Sequence, residues 1–405
     1  MIFVLARYRY RIDPTPGQRE MLARTFGCVR VVFNDAIRAR EAAYSAAEKI
    51  TPTEVQRRVI TQAKGTDERA WLGEVASVAL VQSVRDAHKA YANFFVSITG
   101  KREGRCAGRP RMKSRKDARQ SFRLTRNGFA LRPNGRLYLA KIGEVQVRWS
   151  RELPSVPSSV TVIREPDDHY YASFVVEVDP TPLPEVNREA GVDLGLSRLA
   201  TVATSDGSRT DVPNPRHLAG KLRKLARLER EKARRAKGSN RRAKTRLKVA
   251  KQHATVRRTR LDHHHKLALG LVRENQAVHV EDLNVVGLAR NRQLARSISD
   301  AGWSILVRLL REKAERYGRT VHMVDRWLAS SKTCADCGRR MTELSLQVRT
   351  WTCPGCAVVH DRDHNAARVI LAAGRAERQN ARGAHVRPRR GAAEGVEAGS
   401  TPDAA

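Results

Sequence analysis

The chain has 405 residues, more than one hydrophobic core usually serves, so we expect it to form several domains. It carries 77 lysines and arginines against 42 aspartates and glutamates, a formal net charge of +35, and such an excess indicates a polyanionic partner, foremost nucleic acid. It contains no apolar run of the roughly 18 residues that a membrane helix needs, and its apolar start, MIFVLA, is too short for a signal peptide. These features argue against a membrane or secreted protein and favour a soluble protein of the cytoplasm or nucleoid.

The first elements predicted along the chain are helices over roughly residues 14–100. The segment TPGQ at residues 15–18 is a capping-box pattern with proline at the first helical position, which predicts a helix start. Apolar residues then recur every three or four positions over residues 22–36 and again over 75–95. Residues 100–119 are rich in Gly, Lys and Arg, so we interpret them as a solvated basic linker or as an arm that orders on a phosphate backbone.

Residues 120–180 are predicted to form a small β-barrel or sandwich. Short β-rich runs alternate there with turn signals, and Asn134-Gly135 predicts a hairpin turn. The proline cluster DPTPLPEV at residues 179–186 then indicates a linker that closes this module.

A second module begins with strands over residues 190–212 and continues into a basic helical arm. Residues 216–260 contain 19 lysines and arginines against two glutamates, with a helix break predicted at Gly238. The apolar positions of this segment form only a thin stripe, so one side of the arm can pack while the rest faces solvent or phosphate. A merely solvated helical hairpin is the alternative interpretation.

The remaining elements alternate between strands and helices. A buried strand is predicted in AVHVEDL, residues 277–283, then a helix over 300–317 and a strand over 320–325. A short helix is predicted over residues 365–373, and the Arg-, Gly- and Ala-rich tail from 375 to 405 is expected to be disordered.

Four of the six cysteines form two C-x-x-C pairs separated by 15 residues, a spacing typical of zinc sites. Four thiolates on two tight turns close a tetrahedral site, which makes the site structural because no position stays open for water. The zinc ligands predicted in this way are Cys334, Cys337, Cys353 and Cys356. The two other cysteines are interpreted as an ordinary buried residue and an ordinary loop thiol.

Acidic residues interrupt or end several of the apolar strand patterns. Asp193 lies inside one, Glu281 ends another, and Asp361 and Asp363 both precede the last short helix. Each acid alone is compatible with a salt bridge or a helix cap, but a set converging on one point becomes favourable when divalent cations lie among them. Hard oxygen ligands select Mg²⁺ or Mn²⁺, and such a site suits phosphodiester hydrolysis.

The order of these elements and acids carries a resemblance to a known family. The segments concerned are YRIDPTPGQREMLARTFGCVRVVFNDAI, GVDLGLSRLATVATSDG, VHVEDLNVVGL, SISDAGW, VDRWLASSKTCADCG and WTCPGCAVVHDRDHNAARVIL. Over roughly residues 6–373 the sequence resembles TnpB, a transposon-encoded family similar to the nuclease part of type V CRISPR effectors. The resemblance implies a RuvC-like, ribonuclease-H-like nuclease domain with Asp193, Glu281 and Asp363 as its triad.

The same resemblance implies a multidomain α+β architecture. The expected parts are a β-barrel (1–13 and 118–184), a helical recognition module with a basic linker (14–117), the α/β nuclease domain (185–329 and 359–374) with its basic arm (216–273), and an inserted zinc ribbon (330–358). The two amino-terminal parts would hold RNA and recognise a short motif beside the DNA target.

The expected function is that of an RNA-guided DNA endonuclease with structural Zn²⁺, catalytic Mg²⁺ or Mn²⁺, a guide RNA and a double-stranded DNA target. Asp193 is the expected bridging ligand of the two catalytic ions. Two alternatives stay open from the residues alone: a transposase that performs strand transfer with a 3′-hydroxyl, and a catalytically silent guided repressor. The repressor would fit a chain that lacks one acid, whereas all three are present.

The assignment of the acids within each motif also follows the resemblance. Asp363 is preferred over Asp361 because the family's acid precedes x-Asn-Ala, which leaves Asp361 as a candidate helix cap. Glu281 is preferred over Asp282 because the family's glutamate precedes Asp-Leu-Asn.

Two further groups of residues are given ordinary roles. The run His263 to His265 is not expected to bind a metal, because consecutive residues of a helix point about 100° apart. Trp303 and Tyr317 are expected to belong to the core of the 300–317 helix, with stacking on a base as the alternative.

Overall fold

The computed structural model describes residues 4–102, 106–345 and 347–398, with side chains described up to Asn380. The chain divides into two compact units: Met1–Asp179 with Lys237–Lys251, and Pro180–Ala236 with Gln252–Ala405. The boundary after Asp179 falls at the start of the predicted proline-rich linker.

A seven-stranded antiparallel sheet forms much of the first unit. Its strands are β1 (Val4–Asp13), β2 (Gln120–Thr125), β3 (Phe129–Leu131), β4 (Leu137–Leu139), β5 (Gly143–Arg148), β6 (Ser159–Arg164) and β7 (Tyr170–Val178), in the order β2-β6-β7-β1-β5-β4-β3. The outermost strands, β2 and β3, are joined by the single turn Arg126–Gly128, so the sheet curls until its edges approach each other. The predicted small barrel is confirmed, including the turn at Gly135, which has a φ of +74°.

The first unit also contains the α-helices α1 (Pro16–Ser45), α2 (Pro52–Gln56) and α3 (Ser77–Ile98), together with the first part of the later helix Asn240–Glu274. The predicted capping box is present, because Thr15 Oγ1 accepts from the backbone of Gln18 while the Gln18 side chain accepts from the backbone of Thr15. Helices and sheet share one hydrophobic core, in which the rings of Phe26 and Phe122 lie 5.3 Å apart. The apolar stripe of α1 thus packs directly on the barrel.

The second unit contains a five-stranded sheet of mixed direction. Its strands are β8 (Glu189–Leu194), β9 (Arg198–Thr204), β10 (Arg209–Pro213), β11 (Ala277–Glu281) and β12 (Thr320–Val324), in the order β10-β9-β8-β11-β12. Strands β8, β11 and β12 are parallel, whereas β9 and β10 are antiparallel to their neighbours. A separate two-stranded ribbon pairs β13 (Thr350–Thr352) with β14 (Val359–Asp361).

The remaining helices are α4 (Leu222–Arg234), α5 (Asn240–Glu274), α6 (Val285–Leu288), α7 (Ala295–Ala301), α8 (Trp303–Tyr317) and α9 (Arg362–Ala398). The predicted break in the basic arm is present, with Gly238 at a φ of +88° between α4 and α5. The single helix predicted over residues 300–317 is instead two helices, because Gly302 adopts a φ of +67° that ends α7 before α8 starts. Trp303 is buried at the start of α8, as expected of a core residue.

The last helix is much longer than the sequence predicts. We expected disorder from residue 375, whereas α9 continues to Ala398; residues 399–405 of the expected tail lie outside the described residues. Tertiary contacts hold the extension: Arg378 pairs with Glu189, and Glu377 Oε2 lies 2.7 Å from His322 Nε2. These contacts reach residue 378, and the alanines and arginines that recur beyond it favour helix.

Candidate functional site

Two of the predicted acids lie side by side at one edge of the second sheet. Asp193 is the penultimate residue of β8, and Glu281 is the last residue of β11, its parallel neighbour. Val192 is opposite Val280 in the register, so the two acids follow at the carboxyl ends of adjacent strands. The carboxyl edge of a parallel sheet is where such folds usually place ligands.

A close approach between β8 and α9 brings the third acid to the same edge. A Cβ atom added to Gly191 would lie 2.2 Å from the carbonyl oxygen of Ala367, so the helix backbone rests almost directly on the strand. Gly191 precedes Asp193 by two residues, and Ala367 follows Asp363 by about one helical turn. The start of α9, with Asp363, therefore lies over the end of β8.

The protonation behaviour of these acids reflects their proximity. Burial first, and then the negative charges of Glu281 and Asp363, raise the pKa of Asp193 to about 7, against the opposing charges of Arg362 and Arg349. Burial likewise raises the pKa of Glu281, although Ser330 Oγ donates a hydrogen bond to its Oε1 at 3.2 Å. Carboxylates that interact in this way repel one another unless cations neutralise them.

The carboxylate oxygens of the three acids lie farther apart than the ligand atoms of a compact metal site. Among the described residues, the groups whose ligand atoms all lie within 4.8 Å of one another are confined to the cysteine segment. Asp363 instead contacts two guanidinium groups: Arg198 Nη1 lies 3.3 Å from Oδ2, and Arg349 Nη1 lies 3.4 Å from Oδ1. Three carboxylates at one edge still form the hard donor set that Mg²⁺ and Mn²⁺ prefer, so the residues fit such ions chemically.

Sequence reasoning did not identify Arg198 and Arg349 as part of this site. Arg198 is the first residue of β9, and Arg349 precedes β13 in the ribbon segment. Each is distant in sequence from at least one of the three acids, and an isolated arginine gives no local signal in so basic a chain. Only the tertiary fold brings these two cations to the acidic edge.

The two acids that were set aside in the sequence have other partners. Asp361 Oδ1 accepts a hydrogen bond from the backbone N–H of His364 at 3.0 Å, which caps the start of α9. The Asp361 carboxylate also contacts Arg198 and Arg209. Asp282 pairs with Arg326, whose Nη2 lies 2.5 Å from Oδ2.

The four cysteines of the ribbon lie together, as a metal site requires. Their sulfur atoms are all within 4.8 Å of one another, with Cys334 Sγ 3.7 Å from Cys356 Sγ and Cys337 Sγ 3.6 Å from Cys353 Sγ. Tetrahedral zinc with Zn–S bonds of about 2.3 Å would separate its ligands by about 3.8 Å, so the cluster has the right size. The backbone N–H of Gly355, 3.4 Å from Cys353 Sγ, is the first cause of a lowered pKa of Cys353, whereas the pKa values of Cys337 and Cys356 are raised. Four thiols this close oppose one another's ionisation until a cation binds among them.

The sequence reasoning did not predict that a histidine would also approach this cluster. His360 Nε2 lies 3.1 Å from Cys334 Sγ, and its ring lies 4.7 Å from that of Trp351. The same nitrogen lies 3.7 Å from an oxygen of Asp336. His360 can therefore donate to a thiolate from outside the quartet, an arrangement common around bound metals.

The histidine run of α5 has a structural environment. His264 is buried, and its Nε2 lies 2.9 Å from the carbonyl oxygen of Ala301. Neither metal-sized group found among the described residues includes His263, His264 or His265.

A cavity of about 380 Å³ opens beside the acidic edge. Glu281 and Asp282 line one side of it, and Arg308 and Arg311 of α8 line another. Apolar side chains, including those of Leu194 and Trp303, form part of its wall. The cavity is thus a polar and apolar recess next to a predicted catalytic residue.

Three family descriptions match parts of this chain. The OrfB_IS605 description, a probable transposase, matches residues 173–292, and the Cas12f1-like TNB domain matches residues 303–370. The OrfB_IS605 helix-turn-helix domain matches residues 1–49.

Whole-chain comparisons agree with these matches. A Streptomyces pristinaespiralis protein named "Putative RNA-guided DNA endonuclease" is 43% identical over 95% of this chain and 92% of its own length. InsQ of Escherichia coli, which bears the same designation, is 30% identical over 92% of this chain and 93% of its own length.

Among solved structures, the Cas12f1-sgRNA-target DNA complex contains a similar chain, with a TM-score of 0.56 at 11% identity, covering 91% of this chain and 99% of that one. This similarity confirms the mixed α and β architecture that the sequence predicts. No helix in the described ranges has both the length and the apolar character that crossing a membrane requires. The motif resemblance is confirmed by relatives that match over nearly their whole length, and the chain belongs to the TnpB (OrfB) family.

Proposed function

We propose that this chain is an RNA-guided DNA endonuclease that hydrolyses phosphodiester bonds at the edge carrying Asp193, Glu281 and Asp363. The observation that carries the proposal is that Asp193 and Glu281 lie at the carboxyl ends of adjacent parallel strands, with the start of α9 and its Asp363 packed over the end of β8. Burial, and then the charges of the other two acids, raise the pKa of Asp193, which supports the same assignment. Such perturbed and mutually coupled acids are typical of catalytic sites. The names of the two full-length relatives support guide RNA and DNA as the partners.

The residues of the edge have separate roles in this proposal. Asp193, whose charge interacts with both other acids, would hold the metal ions together with Glu281 and Asp363, and Ser330 orients Glu281 through its hydrogen bond. Bound there, Mg²⁺ or Mn²⁺ ions would stabilise the attacking and leaving oxygens of an in-line displacement. Arg198 and Arg349, which contact Asp363, are placed to hold the phosphate of the strand through charge-assisted hydrogen bonds.

The cysteine quartet has a structural role. Cys334, Cys337, Cys353 and Cys356 would bind Zn²⁺ in a closed site without an open position for water. The metal would stabilise the ribbon over residues 330–358, whose buried cluster contains few apolar side chains. The ribbon also carries Arg349 towards Asp363, so its folding supports the acidic edge.

The first unit and the basic arm are assigned to nucleic-acid binding. The barrel (1–13 and 118–184) and the helical module (14–117) would hold the guide RNA and recognise a short motif beside the target. The arm over residues 216–273 would follow the phosphate backbone. Guided systems divide recognition in this way, with base pairing reading the sequence and the protein reading a short flanking motif.

Substituting Asp193 tests the proposal. With guide RNA, duplex target and Mg²⁺, Asp193→Ala should abolish cleavage while guided DNA binding is retained, because a metal ligand is lost without loss of an RNA contact. The fold should tolerate the change, since it removes a desolvated carboxylate from the neighbourhood of two like charges. The measurement is the cleavage rate together with binding by gel shift.

Glu274→Ala is the control, because Glu274 is an exposed acid of the same unit, lies away from the acidic edge and has its carboxylate 3.9 Å from Arg188. It should cleave at a rate close to that of the native protein. Cleavage by Asp193→Ala at the native rate would contradict the site assignment. Joined donor and target DNA, formed without guide RNA, would instead support a strand-transferring transposase, the activity named in the OrfB_IS605 description.

A further inference from the structure

Trp327 is exposed at the surface of the second unit to an unusual degree. Its side chain is 83% exposed, whereas Trp303 and Trp351 of the same unit are buried. None of the ring pairs or cation–π contacts found among the described residues involves its indole ring. A single exposed apolar residue is common on protein surfaces, so its position decides whether it has a role.

Two contacts fix the segment around Trp327 to the acidic edge. Val324, the last residue of β12, is directly opposite Glu281. Arg326 then donates to Asp282, through Nη2 to Oδ2 at 2.5 Å and through Nε to the carbonyl oxygen at 3.3 Å. Further along, Ser330 Oγ donates to Glu281 Oε1 at 3.2 Å. Trp327 therefore lies between Arg326 and Ser330, which are hydrogen-bonded to the neighbouring residues Asp282 and Glu281.

These contacts limit the distance between the indole and the acids. Ser330 is the third residue after Trp327, and three residues of chain span at most about 11 Å. A nucleic-acid strand advances about 3.4 Å per nucleotide along a helix, so this span corresponds to about three nucleotides. A strand whose phosphate lies at Glu281 thus has bases within reach of the ring.

The backbone around Trp327 is held by hydrogen bonds. Asp325 Oδ1 accepts from the N–H of Trp327 at 3.1 Å, and the Asp325 carbonyl oxygen accepts from the N–H of Leu328 at 3.1 Å. Asp325 itself donates its N–H to Glu377 of α9 at 3.3 Å. Hydrogen bonds of this kind restrain the backbone that carries the indole, which lowers the entropic cost of stacking.

We propose that Trp327 is a stacking platform for one base of the DNA strand that enters the acidic site. An indole face stacks on any base, and such contacts are typical of proteins that bind single strands without sequence preference. The excess positive charge of the chain suits the phosphate backbone of such a strand. Trp327 is a positioning residue here, since it would orient the strand and leave the reacting atoms to the acids.

This inference deepens the proposed function and rests on it for the identity of the strand. Removing one base stack typically weakens binding by roughly tenfold. We therefore expect Trp327→Ala, prepared in the Asp193→Ala background, to bind a short single-stranded DNA of mixed sequence about tenfold more weakly. Trp327→Phe should bind nearly as well as the parent, because phenylalanine keeps a ring.

Abasic substrates separate stacking from a general structural effect. We would scan one abasic position along the strand, measure oligonucleotide binding, and then measure guided cleavage with Asp193 restored. Removing the base at one position should weaken binding by the parent protein as much as Trp327→Ala does. On that substrate, Trp327→Ala should cause no further loss of affinity. Val286→Ala is the matched control, since Val286 of α6 is an exposed apolar residue of the same unit, at 66% exposure, and has no assigned role in binding.

The inference is overturned if Trp327→Ala binds and cleaves like the parent, or if its loss is equal on every abasic substrate. Loss of RNA binding alone, with DNA binding unchanged, would also overturn it. If the native protein shows no guided cleavage, the proposed function fails. Oligonucleotide binding needs neither guide nor cleavage, so it still decides whether Trp327 stacks on DNA.

Discussion

Burial sets the protonation state of His264, a histidine of α5 that is only 1% exposed. Desolvation first, with the charges of His263, Arg260 and His217 acting in the same direction, lowers its pKa to about 4 against the hydrogen bond to Ala301. In the neutral ring the Nε2 hydrogen can be donated to that carbonyl oxygen, 2.9 Å away. The side chain thus packs as a neutral donor and has a structural role.

This burial predicts a pH dependence of stability. The unfolded chain protonates His264 near pH 6.5 and the folded chain near pH 4, so the unfolded state binds more protons between these values. The contribution of the neutral ring to the free energy of unfolding is therefore complete above about pH 6.5 and is lost as the pH falls towards 4. The loss is at most about 3 kcal/mol. Denaturant unfolding at a series of pH values, compared between the native chain and His264→Gln, measures this difference.

Glutamine keeps a donor for Ala301 but does not ionise, so the stability advantage of the native chain over His264→Gln should shrink on acidification. His253→Gln is the control, because His253 lies on the same helix with an exposed side chain. Its pH profile should run parallel to that of the native chain. A constant difference between the native chain and His264→Gln from pH 7 to pH 4 would show that this residue is not the cause.

At the scale of elements, the contact between β8 and α9 depends on Gly191. A Cβ atom there would lie 2.2 Å from Ala367 O and 2.5 Å from Leu371 N, both backbone atoms that cannot move without displacing the helix. We expect Gly191→Ala to lower the free energy of unfolding of the second unit by roughly 3 kcal/mol, the upper range for overpacking. It should also reduce cleavage, since the same contact places Asp363 over the end of β8.

Gly270→Ala should change the free energy of unfolding of the same unit in the opposite direction. Gly270 lies inside α5 with no atom within 4 Å of its added Cβ, so alanine should stabilise the helix by up to about 1 kcal/mol. Thermal or denaturant unfolding of the two variants measures both effects. Equal effects of the two substitutions would mean that α9 does not approach β8 as closely as described.

Local signals explain which elements could be predicted from the sequence. The cap at Thr15, the turn at Gly135 and the break at Gly238 depend on residues within a few positions, and the cysteine spacing is itself local. The continuation of α9 just past residue 374 is supported by the pair between Arg378 and Glu189, which lie 189 residues apart, and the composition of the tail does not reveal this contact. The contacts of Asp363 with Arg198 and Arg349 require the tertiary fold in the same way.

At the scale of the whole molecule, the charge of +35 is concentrated in part on the arm. Residues 216–260 contribute 19 cations against two glutamates, and Lys244, Arg246 and Lys248 of α5 are exposed. A helix with this many cations cannot pair them internally, so much of its charge faces the surroundings. Binding of a polyanion there would release the counterions condensed on it, which makes affinity depend steeply on salt.

We expect the logarithm of RNA affinity to fall linearly with the logarithm of salt concentration, with a slope of about −5 or steeper, as six or more neutralised phosphates would give. Replacing Lys244, Arg246 and Lys248 with glutamine should make the slope shallower by up to about 1 for each lost phosphate contact. Arg308→Gln is the control, because Arg308 of α8 already pairs with Glu312 at 2.5 Å and lies outside the parts assigned to RNA. Filter binding over a salt series measures the slopes, and an unchanged slope in the triple variant would place the RNA away from this part of the arm.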